Sequence, residues 1–143
     1  MKNLLLGSTL LCLLASPAYA QLRKVDDLSL AAANKLAGAA MAACQAQGRH
    51  IVVTVLDRGG NIVAVQRADG VGPHNTDASR RKAYTALSTK NDTQALAVAA
   101  RGNPDMANLT TVPELLLLGG GLPLRAQGEV VGAIGVAGGA GAQ

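Results

Sequence analysis

Residues 50–67, HIVVTVLDRGGNIVAVQR, limit the folds open to this chain more than any other stretch. Two apolar runs of strand composition flank Asp57-Arg58-Gly59-Gly60, a tight reversal, so the segment reads as a β-hairpin. In the first run Ile51, Val53 and Val55 share one face, and Val52, Thr54 and Leu56 share the other. That run is apolar on both sides and belongs inside a sheet covered on both faces. In the second run Ile62, Ala64 and Gln66 alternate with Val63, Val65 and Arg67. A lone hairpin is marginal in water, so the rest of the chain has to bring further strands and packed helices.

Before the hairpin, Ser29 is a suitable N-cap for a helix over residues 30–47, and Gly48 a suitable stop. Leu30, Ala33, Ala37, Ala40, Met41 and Cys44 fall on one stripe at helical spacing. Their small size predicts close packing against a sheet. After the hairpin, residues 68–74 form a breaker-rich loop. Thr76 or Asp77 can then cap a helix running to about Lys90, with a second short helix over residues 91–101. A long connection follows. Residues 115–118, 122–125 and 129–136 are three strand candidates, interrupted by Gly119-Gly-Gly121 and by Ala126-Gln-Gly128. Gly132 and Gly135 leave shallow places on the last strand, fit for a close-packed helix or a flat ligand. The order implies a mainly antiparallel sheet with helices packed across it.

Residues 1–20 stand apart. Lys2 gives a positive start, residues 4–15 are almost wholly apolar, and Ala18-Tyr-Ala20 suits signal peptidase. The segment reads as a secretory signal peptide cut after Ala20, too short in its apolar part to cross a bilayer comfortably. Cleavage would leave residues 21–143, enough for one domain, and would lower the formal net charge from +4 to +3. So small a charge, without Phe or Trp, argues against nucleic-acid binding. Cys44 would be the one remaining cysteine, which excludes an intramolecular disulfide and favours a buried thiol. Tyr84 would be the one Phe, Tyr or Trp left. A core of Val, Leu, Ile and Ala alone buries modest area, and self-association would compensate. The chain carries no GxGxxG after its first strand, no Walker GK[ST], no serine-hydrolase elbow and no HExxH zinc motif.

Four motifs occur in order: Val55-Leu-Asp-Arg-Gly-Gly60, Arg81-Lys-Ala-Tyr-Thr-Ala86, Gly119-Gly-Gly-Leu-Pro-Leu124 and Gly128-Glu-Val-Val-Gly-Ala-Ile-Gly-Val-Ala-Gly-Gly139. Together they resemble the GlcG/HbpS family of haem-degrading domains over residues 28–139. The resemblance implies an α/β domain of the α+β type. Its antiparallel five-stranded sheet would be flanked by helices in a profilin-like arrangement, and its members would assemble as homo-oligomers. It also implies a C-terminal Ala-rich helix after the last strand, which this sequence, ending at Gly138-Gly-Ala-Gly-Ala-Gln143, lacks. Some secreted relatives bind haem and take part in its degradation or sensing, and others accompany glycolate or cobalamin metabolism.

Haem needs an apolar crevice, an axial ligand and cationic partners for its propionates. His74, in the glycine-proline loop ahead of Arg80, Arg81 and Lys82, offers one iron ligand beside three propionate partners. His50 is the rival ligand, and Tyr84 would cover the macrocycle or pack in the core. A small anion such as a hydroxy acid would instead meet Arg81, Lys82 and the backbone of residues 119–121. Asp57 reads as a turn residue bonding the following backbone. The resulting expectation is an extracytoplasmic, periplasmic or secreted haem-binding protein, with oxidative haem degradation as its chemistry. The competing readings are a small-anion accessory protein and a structural interaction module.

Overall fold

Strand β1 (Val52–Asp57) is the centre of the computed structural model, which describes residues 20–139. It pairs antiparallel with β2 (Ile62–Arg67) on one side and with β4 (Glu129–Ala137) on the other. Strand β3 (Gly121–Ala126) closes the order β2-β1-β4-β3. Ile51 to Leu56 are all buried, as a run apolar on both faces requires. The signal-peptide segment falls almost wholly, and residues 140–143 wholly, outside the described residues. Among the described residues no helix is long and apolar enough to cross a membrane.

The turn between β1 and β2 is made by Asp57. Its Oδ1 accepts the Asn61 N–H at 2.8 Å, and Gly60 takes a positive φ of 84°. Partial burial raises the Asp57 pKa, but hydrogen bonds from the Asn61 side chain and from the turn backbone outweigh it and leave it below the ordinary value. Between β3 and β4, Gln127 and Gly128 both have positive φ, 51° and 84°, the geometry of a two-residue type I′ turn.

Helix α1 (Leu30–Gln45) packs across β1 and β2. Its N-cap is Ser29, whose Oγ accepts the Ala32 N–H at 3.2 Å. Ala33 and Ala37 are fully buried against Ile51, Val53, Val55 and Ala64, whereas Leu30, expected on the same stripe, is 60% exposed. Cys44 is half-buried. The opposite face carries helix α2 (His74–Thr89), which lies over β1, β4 and β3. Here the glycines serve a helix. A Cβ at Gly135 would strike the Ser79 carbonyl, and one at Gly121 would strike the Lys82 carbonyl. The buried hydroxyls of Thr54 and Ser79 meet at 2.7 Å between sheet and helix. Ser79 donates to the Thr76 carbonyl at 2.9 Å, so the Thr54 hydroxyl is the donor of that pair.

Two expectations are corrected. The sheet has four strands among the described residues rather than five, because residues 115–118 lie across α2 instead of along a sheet edge. The Leu116 N–H donates to Thr85 Oγ1 at 2.8 Å and the Leu115 carbonyl accepts from Arg81 at 2.8 Å, so side chains of α2 take the place of a neighbouring strand. Helix α2 also begins at His74, ahead of the expected Thr76 or Asp77 cap. Pro73, with φ −61°, already holds helical geometry and has no N–H to leave unpaired. Helix α3 (Thr93–Gly102), capped by Asp92, and the short α4 (Pro104–Ala107) complete the connection to the glycine-rich bend.

Candidate functional site

Hairpin register sets the surroundings of His50. Val52 pairs with Arg67, and the Ala68 N–H continues the ladder by donating to the Ile51 carbonyl at 2.9 Å. One step further out, His50 Nδ1 lies 3.1 Å from the Asp69 carbonyl. A carbonyl only accepts, so Nδ1 donates here, and in the neutral imidazole Nε2 then keeps a free lone pair. This is the arrangement in which metal-binding histidines are commonly held, with one ring nitrogen anchored and the other presented. Beside His50 a cavity of about 240 Å³ is walled by Met41, Ile51 and Ala68 and edged by Arg49 and Gln45. It therefore joins an apolar wall, an imidazole of fixed tautomer and a guanidinium.

His74 sits in the first turn of α2, exposed, with its ring against Gly72. The two histidines flank the same loop, residues 68–73, but His74 does not line the cavity beside His50. Nor do the three cations behind it. Successive helical residues point about 100° apart, and each of the three finds its own partner. Arg80 bonds Asp77 Oδ1 and Glu114 Oε2, each at 3.0 Å. Burial disfavours its charge, but hydrogen bonds to Glu114 and Asp77 outweigh that and raise its pKa above the usual value. Arg81 donates to the Leu115 carbonyl, and its Nε is buried without a partner among the described residues. Lys82 Nζ donates to the Val136 carbonyl at 3.1 Å, and burial pushes its pKa below that of an ordinary lysine.

Tyr84 lies at the other end of the sheet. Its ring packs against Gly60, where a Cβ would come within 3.3 Å of Cε2. Six residues of β1 separate that turn from His50, about 20 Å of strand. The glycine bend is closed as well. The Gly121 N–H donates to Thr93 Oγ1 at 2.8 Å, and the Gly120 carbonyl accepts the Val136 N–H at 2.8 Å. These two groups serve the fold, so the Gly121 N–H is not offered to an anion. Among the described residues no three of His, Cys, Asp and Glu gather as a metal cluster.

The sequence reading missed Met41, Arg49, Ala68 and Asp69 as neighbours of His50. The turn alone could not give them: beside it Leu56 pairs with Ile62, and a bulge between Val55 and Leu56 shifts the register by one residue, which brings Ile51 to Ala68 and His50 to Asp69.

Residues 28–143 match the family model described as haem degrading protein HbpS-like. Among solved structures, a double mutant of HbpS from Streptomyces reticuli superposes with a TM-score of 0.79 at 40% identity, covering 88% of this chain and 86% of that one. An uncharacterized 15.0 kDa protein of Citrobacter freundii is 34% identical over 119 residues, 82% of this chain and 84% of its own. Protein GlcG of Escherichia coli K12 is 31% identical over 114 residues, 76% of this chain and 80% of its own.

Proposed function

This chain belongs to the haem-degrading HbpS-like family, and on that premise we propose that it binds haem beside His50. The observation that carries the choice of site is the His50–Asp69 bond, which leaves Nε2 free to ligate iron. Met41, Ile51 and Ala68 would take an apolar edge of the macrocycle, and Arg49 a propionate. A cavity of about 240 Å³ is below the usual range for drug-sized ligands, so it would hold part of the macrocycle and leave the rest to another surface. A second copy of the chain is the surface we propose. Sparse apolar burial and exposed side chains such as Leu122, 49% exposed, support self-association. When bound, haem would supply iron-centred oxidative chemistry, and the protein would bind and orient it. The signal-peptide reading of residues 1–20 supports a periplasmic or secreted protein.

The test is a haemin titration of protein recovered from the periplasmic fraction, followed by Soret absorption, with His50→Ala and His74→Ala alongside. The expected result is a saturable Soret shift that His50→Ala abolishes and His74→Ala preserves. A shift lost only in His74→Ala would move the ligand to α2, and no saturable shift would reject haem binding. Ascorbate or peroxide added to the complex should bleach the Soret band and release iron; a stable band would restrict the function to binding. An intact mass should begin the chain at Gln21, and a retained leader would overturn the export proposal.

A further inference from the structure

We propose that a second cavity, at the turn end of the sheet, binds a small carboxylate with a short apolar tail. The cavity, about 280 Å³, lies between α2 and the two hairpin turns, at the opposite end of β1 from His50. Arg58 from the first turn and Lys90 from the end of α2 bring two positive charges to it. The one carboxylate in its lining, Glu129, accepts from Arg58 Nη2 at 2.9 Å. That pair is held at an exposed rim, with the Glu129 side chain 67% exposed, and is correspondingly weak. It uses one of the five N–H donors of Arg58, and among the described residues Lys90 forms no salt bridge. Tyr84 and Ser88 add hydroxyls to the lining, and Leu87 and Val130 add an apolar wall. Carboxylate recognition needs this combination of guanidinium, ammonium and hydroxyl donors, and the wall suits a tail of a few carbons.

The backbone around the cavity is held in place from both sides. The Tyr84 ring rests on Gly60, at a φ only glycine adopts readily, so the ring is fixed against the turn. Lys90 ends α2 in the left-handed region, φ 57°, where glycine or asparagine is usual. Its carbonyl accepts from Arg125 Nη2 at 2.8 Å, which anchors this disfavoured conformation. A lysine kept where helices usually place glycine is accounted for if its ammonium serves the cavity.

The probe is butyrate, titrated against the whole chain carrying 13C-labelled methyl groups, with the methyls of Leu87 and Val130 as reporters and those of Met41 and Ile51 as references. Saturable shifts confined to Leu87 and Val130 are expected. Arg58→Gln and Lys90→Asn should each weaken binding at least tenfold; asparagine tolerates the left-handed backbone, so the second variant removes charge without disturbing the helix end. An equal response to butan-1-ol or butylamine would overturn the proposal. So would shifts centred on Met41 and Ile51, or an affinity unchanged in both variants. No haem enters the experiment, so its result is independent of the site beside His50.

Discussion

The two faces of the sheet are covered by different means. Helix α2 lies over three strands, and its backbone comes so near β3 and β4 that Gly121 and Gly135 are required beneath it. The apolar residues it leaves open are out on β2: Val65, 41% exposed, and Ile62, which pairs with Leu56 of this face and is 55% exposed. Helix α1 covers β1 and β2 through Ala33 and Ala37 but leaves the same face of β3 and β4 largely uncovered. There Leu122 is 49% exposed, and Leu124, Ile134 and Val136 are only half-buried. Closeness through small residues secures one face and makes it intolerant of change. The other face is closed over half its width and keeps apolar surface for something else. Both cavities proposed as binding sites lie at the ends of β1, where the two coverings meet the turns.

The largest expected effect is on the closed face. Gly135→Val would drive a branched side chain into the Ser79 carbonyl and the Ala83 N–H, neither of which can yield without moving α2. It should cost about 3 kcal/mol or more in urea unfolding, beyond ordinary overpacking because backbone is struck. A loss below about 1 kcal/mol would mean that α2 can ride away from the sheet, and the contrast between the faces would fail. On the open face, Leu122→Ser should change the unfolding free energy of the dilute protein by no more than about 0.5 kcal/mol. The same variant should weaken self-association at least tenfold in sedimentation equilibrium. If it unfolds the monomer instead, that face is covered within the chain.

Much of the closed face could be read in the sequence. A β1 run apolar on both sides demanded a central strand, and Gly135 marked a place for a helix or a flat ligand; the helix occupies it. The sheet was harder to count. Residues 115–118 have strand composition, but Thr85 and Arg81 satisfy their backbone from α2, and nothing in a local pattern of leucines announces a partner thirty residues away. The grouping of Arg80, Arg81 and Lys82 misled for a related reason. Adjacency in sequence is divergence on a helix, and each cation reaches a different partner. Tyr84 was legible as a packed ring, but its place beside Arg58 and Lys90 depends on how α2 crosses the sheet, which only the fold determines.

The smallest effect concerns the β3–β4 hairpin, the half of the sheet that α1 does not cover. Gln127 occupies the first centre of a type I′ turn, where positive φ favours asparagine over glutamine because the shorter amide can bond its own backbone. Gln127→Asn should therefore stabilise the protein by about 0.5 kcal/mol, read as a raised urea midpoint with an unchanged slope. Where that gain appears is informative. If β3 is held mainly by β4 and α2 within one chain, the gain should be the same at every protein concentration. If a second copy already clamps β3, the turn is secured in the assembly, and the gain should shrink as concentration rises. The same substitution thus measures the turn and tests whether the open half of the sheet is open in solution.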